Sequence, residues 1–220
     1  GAKPPPRVAG AMKILAVSDR VLDKLYSGQA RQMFSDVDLL IGCGDLPLYY
    51  LDFLTSALDA PLVYVRGNHD EGPQYAADGK IWREVRGGVD IHGKVVARRG
   101  LILAGLQGSM RYKAHADYMY SESEMRVAVA QMVPRLLWNR QRFGRALDVL
   151  VTHSPPYGIH DRPDLPHTGF KVFLSFLRLF KPRYHLHGHV HVYRQDEIVS
   201  STFEETNIIN VYPYKVLEID

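Results

Sequence analysis

The chain has 220 residues, of which 46% are hydrophobic, and its formal net charge at pH 7 is +3. A chain of this length and apolar content can bury a core of ordinary domain size, and so small a charge excess argues against nucleic acid as a partner. The single cysteine, Cys43, excludes an internal disulfide and favours a reducing, cytoplasmic compartment. No apolar run reaches the ~18 residues of a membrane span, and no signal peptide is recognisable, so we expect no membrane partner.

Residues 1–11 are rich in proline and lack apolar periodicity, which predicts a flexible extension or an expression remnant. No internal repeat or linker interrupts residues 12–220, which we interpret as a single domain. Short apolar, β-branched runs predict buried strands, and these lie at residues 12–17, 37–41, 61–65, 101–106 and 147–151.

Further elements follow from periodicity and turn residues. Helical spacing of apolar residues predicts helices over 23–33, 47–58, 121–143 and 173–180. Ser121 and Glu124 form a capping box for the third of these, and Pro134 should kink or divide it. A hairpin around His92-Gly93 is predicted over 89–96, and the final strands are predicted at 183–187, 190–195, 208–212 and 215–219.

Polar side chains follow several of the predicted strands at the point where each strand ends. These groups are Ser18-Asp19-Arg20, Gly44-Asp45, Gly67-Asn68-His69-Asp70, Thr152-His153-Ser154 and Gly188-His189-Val190-His191. An open α/β sheet places its chemistry at the carboxyl ends of its strands. Carboxylate, amide and imidazole groups are ligands for divalent ions, so the pattern predicts a metal site.

Simpler interpretations exist for parts of this pattern. Residues 66–70, taken alone, fit a loop with a capping Asn and two solvated side chains equally well. His185 and His187 alternate along one face of a strand, and we interpret them as hydrogen-bonded strand histidines that support the site without being ligands.

In sequence order these motifs resemble those of the calcineurin-like metallophosphoesterases, from Met12 onward. The family motifs D-x-H, G-D, G-N-H-[DE], a lone His and G-H-x-H stand here as Asp19 (with Val21 in place of the His), Gly44-Asp45, Gly67-Asn68-His69-Asp70, His153 and Gly188-His189-Val190-His191. The resemblance implies an α/β fold in which two mixed β-sheets pack as a sandwich with flanking helices.

The resemblance also implies one or two divalent transition metal ions, Mn, Fe or Zn. Asp45 would bridge the two ions. A complete second site would use Asn68, His153 and His189, while the first site would keep Asp19 and His191.

The activity implied is hydrolysis of a phosphate ester, either a phosphodiester or a small phosphomonoester, by hydroxide held on the metal. His69 would protonate the leaving group as general acid, and Asp70 would orient its ring. The alternative is a binding or scaffold protein that keeps the fold while its catalysis has weakened. The presence of His69 favours the enzyme, because a weakened site has no need for a general acid.

Val21 is the departure from the family pattern. If the chain past Asp19 is extended, residue 21 points the same way as Asp19, so the substitution leaves the first site one ligand short. His160 and His167, from the long segment 155–169, are candidate substitutes, and Arg20 is a candidate phosphate-binding charge. We expect that segment to border the active site and His160 to contact the substrate.

Overall fold

The computed structural model describes residues 11–70, 73–75 and 81–219. The strands within these residues, in chain order, are Met12–Val17 (β1), Leu39–Cys43 (β2), Leu62–Val65 (β3), Gln74–Tyr75 (β4), Ile81–Trp82 (β5), Gly88–Asp90 (β6), Val95–Arg98 (β7), Leu101–Leu106 (β8), Ser109–Met110 (β9), Met119–Tyr120 (β10), Val149–Thr152 (β11), Tyr184–His187 (β12), Ser200–Phe203 (β13), Thr206–Asn210 (β14) and Tyr214–Ile219 (β15). The helices are Gln29–Met33 (α1), Leu48–Leu58 (α2), Glu122–Phe143 (α3) and Lys171–Phe180 (α4), with a 3₁₀ turn at Leu165–His167.

Two large mixed sheets organise these strands. The first has the order β15-β1-β2-β3-β6 and is parallel except for β15, which pairs antiparallel with β1. The second has the order β13-β14-β12-β11-β8-β7, with parallel strands at its centre and an antiparallel strand at each edge. Two short pairs, β4-β5 and β9-β10, lie outside them.

Three apolar layers hold the sheets and helices together. One lies between the sheets and includes Ile14, Ile41, Leu103 and Val151, all fully buried. A second packs the outer face of the first sheet against α1 and α2, and a third packs the outer face of the second sheet against α3 and α4. Strands buried on both faces have nearly continuous apolar sequences, as β1, β2 and β3 do. The predicted α/β sandwich with flanking helices is confirmed.

The longest helix, α3, begins where its capping box predicts. The Ser121 side chain accepts a hydrogen bond from the Glu124 amide, and the Glu124 carboxylate accepts one from the Ser121 amide at 2.7 Å. The helix ends at Phe143 and is capped by Gly144, which has a φ of 75°. Pro134 lies inside α3 and does not divide it.

The predictions for three segments, 89–96, 23–33 and 190–195, were wrong. The segment 89–96 is not a hairpin, because β6 pairs with β3 in the first sheet and β7 pairs with β8 in the second. The chain passes from the first sheet to the second at Ile91, which is fully buried between them. The alternation of apolar and polar residues predicts a strand but does not identify the strand with which it pairs. The first helix is confined to Gln29–Met33, shorter than the predicted 23–33.

The predicted strand at 190–195 is not formed, and a strand at Ser200–Phe203 was missed. Side chains satisfy the backbone of the first segment: Asn210 donates to the Val190 carbonyl at 2.7 Å, and Glu197 accepts from the Arg194 amide at 3.2 Å. A backbone that finds such partners needs no neighbouring strand.

The predicted extension, apart from residue 11, lies outside the described residues, so its flexibility and the domain boundary at residue 12 stay predictions. None of the helices in the described part of the chain is long and apolar enough to cross a membrane.

Candidate metal centre

The carboxyl ends of five parallel strands meet at one edge of the sandwich. Strands β1, β2 and β3 of the first sheet end just before Asp19, Asp45 and Asn68. Strands β11 and β12 of the second sheet end just before His153 (which follows Thr152) and the loop 188–191. Because both sheets present the same kind of strand end, side chains far apart in sequence converge there.

Four donor atoms cluster at the centre of this edge. His153 Nε2 lies 3.1 Å from Asn68 Oδ1, 3.1 Å from His189 Nδ1 and 3.4 Å from Asp45 Oδ2. Donor atoms that bind one ion tetrahedrally at 2.0–2.2 Å are about 3.3–3.6 Å apart. Among the described residues, Asp45, His153 and His189 form a group whose donor atoms all lie within 4.8 Å of one another. We call Asp45, Asn68, His153 and His189 the metal centre.

Hydrogen bonds on the far side of each imidazole fix which nitrogen faces the cluster. His153 Nδ1 lies 2.8 Å from the Cys43 carbonyl oxygen, and His189 Nε2 lies 2.7 Å from the Pro166 carbonyl oxygen. Each of these nitrogens donates its N–H outward, which leaves His153 Nε2 and His189 Nδ1 facing inward. Ligand histidines in metalloproteins are oriented by such outer hydrogen bonds.

The ionisable side chains of the metal centre shift the pKa values of one another. Burial opposes protonation of His153, but the adjacent Asp45 carboxylate raises the pKa of this imidazole to about 9. Burial also opposes ionisation of Asp45, yet the charge on His153 lowers the pKa of that carboxyl to about 2. Burial and the charge of His153 lower the pKa of His189 to about 3. The protonated His153 thus places one positive charge among oxygen and nitrogen donor atoms. A bound cation would replace that proton, so these residues fit a divalent metal.

The backbone at this edge is strained. Asp19, Asp45 and His189 have positive φ angles of 63°, 54° and 67°. Residues other than glycine rarely adopt these angles, and such conformations concentrate at functional sites because surrounding contacts enforce them. A Cβ on Gly44 would lie 2.5 Å from His153 Nδ1, and one on Gly67 would lie 2.0 Å from Asp45 Oδ1. Glycine is therefore required at both positions for the donor side chains to approach the backbone.

Asp19 and His191 form a second group beside the metal centre. His191 Nε2 lies 3.5 Å from Asp19 Oδ1, and the His189 amide donates to Asp19 Oδ2 at 3.0 Å. The Ser18 hydroxyl also donates to this carboxylate. The His191 ring stacks on Tyr212, with centroids 4.5 Å apart. Two candidate ligands of a first ion are thus held together.

An open cleft of about 600 Å³ adjoins the metal centre. Its lining includes the exposed His69, whose backbone amide donates to Asp45 Oδ1 at 2.7 Å. The other lining residues are Asp45, Pro47, Tyr49, Asp70, Pro73 and Gln74. The His69 side chain therefore lies on the surface of a cleft that begins at a candidate ligand.

Residues 13–193 match the sequence model of the calcineurin-like phosphoesterases. The chain belongs to the calcineurin-like phosphoesterase family. The comparison with curated proteins gave no match.

Several solved structures are similar to this member of the family at low sequence identity. The crystal structure of TT1561 of Thermus thermophilus is 16% identical, with a TM-score of 0.54, over 91% of this chain and 89% of that one. A phosphopantetheinyl hydrolase of Mycobacterium tuberculosis is 16% identical, with a TM-score of 0.47, over 93% and 90% of the two chains. Vacuolar Protein Sorting 29 of Cryptosporidium parvum is 10% identical, with a TM-score of 0.44, over 92% and 74%.

The family's first motif takes a different course here from the extended one we expected. The Arg20 amide donates to the Ser18 carbonyl at 2.7 Å, which together with the positive φ of Asp19 turns the chain sharply. Val21 instead packs against the apolar layer between the first sheet and α1 and α2. The extended path on which the expectation for residue 21 depended is therefore not formed.

Asp70 was predicted to orient the His69 ring, but within the described part of the chain its hydrogen bonds are with main-chain amides. Its Oδ2 accepts hydrogen bonds from the amides of Gly67 at 2.7 Å and Asp45 at 3.1 Å. Burial, reinforced by the charge of Asp45, raises the pKa of Asp70 to about 7. Asp70 thus ties the two loops that carry Asp45 and Asn68 to each other.

The two candidate substrate-binding residues make hydrogen bonds to other side chains of the protein. His160 uses both ring nitrogens, with Nδ1 3.0 Å from His187 Nε2 and Nε2 2.8 Å from Ser201 Oγ. Arg20 hydrogen-bonds the Tyr212 side chain. The loop that carries His160 nevertheless reaches the site through the Pro166 carbonyl and through Arg162, which donates to the His191 carbonyl at 2.8 Å. His167, the other candidate substitute, has its Nδ1 on the Asp164 carboxylate and its ring near His189.

Sequence reasoning missed Tyr212, which contacts both Arg20 and His191. It follows the parallel strand β14 after one residue, Val211, so it lies at the same edge as the metal centre. A search of every strand end for aromatic as well as ionisable residues would have found it.

Proposed function

We propose that this family member hydrolyses a phosphate ester, either a phosphodiester or a small phosphomonoester, with the help of one or two divalent ions (Mn, Fe or Zn). The observation that carries the proposal is the cluster of donor atoms from Asp45, Asn68 and His189 around His153 Nε2, with distances of 3.1–3.4 Å. Buried charges cost free energy unless they are paired or coordinate a metal, and these four side chains have the donor atoms to do so.

Asp45, Asn68, His153 and His189 would hold one ion, and Asp19 and His191 would contribute to a second that shares Asp45. A bound divalent ion supplies Lewis acidity toward the phosphoryl oxygens and lowers the pKa of water. The chain itself supplies the geometry: the Cys43 and Pro166 carbonyls hold the two imidazoles in their tautomers, and Asp70 fixes the loops.

His69 would deliver the proton to the leaving alkoxide. Its side chain is exposed in the cleft, where a bound ester would lie, and its amide is anchored to Asp45. A general acid must lie within hydrogen-bond reach of the leaving oxygen, and an exposed side chain anchored at its backbone can swing to that position. Because Asp70 bonds to main-chain amides, it does not orient the His69 ring. Contact with a bound substrate would orient the ring instead.

A binding or scaffold role is the second candidate, and Val21 is the observation that favours it. The first ion would lack a ligand there, since the partly buried Val21 packs against an apolar layer and has no donor atom. The position of His69 in the cleft favours catalysis, because a scaffold gains nothing from a proton donor beside a metal centre. The expected partner is a small phosphoester, and the cytoplasmic location stays a prediction.

The test is a hydrolysis assay with p-nitrophenyl phosphate and bis(p-nitrophenyl) phosphate. Protein stripped with a chelator should be inactive and should regain activity with Mn²⁺, Fe²⁺ or Zn²⁺. Asp45→Asn, which keeps the shape of the side chain but removes its charge, is the control and should stay inactive with every metal. Wild-type turnover that is equal with and without metal, or absent with all three metals, would overturn the proposal.

A further inference from the structure

One wall of the cleft beside the metal centre is aromatic. Tyr49 lines the cleft together with His69, and its side chain is 46% exposed. It lies at the second residue of α2, only four residues after Asp45. The neighbouring residues Leu48 and Tyr50 are buried in the core, so the start of the helix fixes Tyr49 on the cleft side.

Other aromatic rings brace Tyr49 from behind. Its ring meets the edge of Tyr26 at a centroid distance of 5.7 Å and an interplanar angle of 61°. Tyr26 in turn contacts Phe53 at 4.7 Å and the buried Tyr50 at 6.0 Å, both edge-to-face. Edge-to-face contacts of this kind restrict the rings that make them. We call Tyr49 and Tyr26 the tyrosine wall.

The cleft combines this wall with a polar end. His69 and Asp45 lie at the end next to the metal centre, while Pro47 and Tyr49 supply uncharged surface. A volume of about 600 Å³ lies within the range of small-molecule sites. A phosphate at the polar end thus leaves space for a larger, planar group against the wall.

We propose that Tyr49, braced by Tyr26, stacks on the base of a nucleoside phosphate, so that nucleoside phosphates are the substrate class of this site. The proposal rests on the phosphoesterase function proposed above. Every base has a π face, so a single tyrosine serves all bases. Base stacking on an aromatic side chain changes affinity by roughly 5- to 150-fold.

The test compares two inhibitors that differ only in the base. Adenosine 5′-monophosphate and ribose 5-phosphate carry the same phosphate on the same sugar. Their competitive inhibition constants are measured against hydrolysis of the p-nitrophenyl ester that the enzyme accepts. We expect wild type to bind the nucleotide at least about tenfold more tightly, and Tyr49→Ala to lose that preference while its constant for ribose 5-phosphate changes less than about twofold. That unchanged constant also shows that the variant is folded.

Two further variants sharpen the comparison. Tyr49→Phe keeps the ring and should keep the preference. Trp138→Ala removes an aromatic ring on α3 that is 44% exposed outside this cleft, and it should behave as wild type. The stacking proposal would be overturned by equal inhibition constants for the two inhibitors in wild type. It would also be overturned if Tyr49→Ala still bound the nucleotide more tightly than ribose 5-phosphate. Absence of any ester hydrolysis would instead overturn the proposed function, which separates the two failures.

Discussion

Two groups of histidines, located in and beside the second sheet, lie close together and differ in what surrounds them. In the metal centre, His153 and His189 face a carboxylate and an amide oxygen. The second group, which we call the strand cluster, consists of His160, His185 and His187. Its rings contact one another and the hydroxyls of Thr152 and Ser201.

The difference shows in the direction of the pKa shifts. Asp45 raises the pKa of His153 to about 9 in spite of complete burial. Burial, with no carboxylate among its described contacts, lowers the pKa of His185 to about 3. The same residue type at the same depth is therefore prepared for a cation in one place and kept neutral in the other. The carboxylate of Asp45 thus distinguishes the environment of the first group from that of the second.

The largest expected effect separates the two groups by metal content. His153→Ala removes the donor around which the metal centre is arranged, so the purified protein should hold close to no transition metal and no hydrolytic activity. His185→Ala, an equally buried histidine of the strand cluster, is the matched control and should keep its metal. Metal is measured by elemental analysis of protein reloaded with Mn²⁺ or Zn²⁺. Equal metal content in wild type and His153→Ala would contradict the assignment.

Loss of the proposed general acid should come next in size. His69→Ala should lower turnover of an ester with a poor leaving group by about 10²–10⁴-fold while metal content stays unchanged, because His69 lies in the cleft outside the metal centre. The loss should shrink for p-nitrophenyl esters, whose leaving group needs little protonation. A uniform loss across leaving groups would assign His69 to substrate positioning instead.

The strand cluster predicts a pH dependence of stability. Unfolded His185 takes up a proton near pH 6.5, but the folded form stays neutral until about pH 3. The unfolded state therefore binds more protons between these values, and the free energy of unfolding should fall as the pH drops, by up to about 1.4 kcal/mol per pH unit for this group. Urea unfolding in the presence of a chelator should give a shallower slope for His185→Gln. His115→Gln, at an exposed histidine, should keep the wild-type slope, and equal slopes in all three proteins would contradict the account.

The smallest effect concerns the family's missing histidine. Val21→His should leave the number of bound metal ions unchanged, since residue 21 packs toward the core. It should lower stability by about 1 kcal/mol, as for a polar group placed in an apolar contact. Val127→His, on the exposed face of α3, is the control and should be neutral. An added binding step in calorimetric titration of Val21→His with Mn²⁺ would show that residue 21 reaches the metal centre.

The fold and the convergence of the motifs were predictable because both follow from local pattern. Apolar runs identify parallel strands, and the carboxyl ends of parallel strands meet whatever the loops between them do. The partners of Asp70 and His160 were not predictable in the same way. Ser201 lies 41 residues from His160, and the turn that redirects Val21 depends on the backbone angle of Asp19. Such contacts are decided by tertiary structure, which a motif does not encode.

Anomalous X-ray scattering at the absorption edge of the metal, from crystals of Mn²⁺- or Zn²⁺-loaded protein, tests the comparison most directly. The account predicts an anomalous peak bounded by Asp45, Asn68, His153 and His189, about 2.0–2.2 Å from their donor atoms. It predicts no peak between His160 and His187, although their ring nitrogens are only 3.0 Å apart. A peak in the strand cluster, or none at the metal centre of the loaded protein, would contradict it.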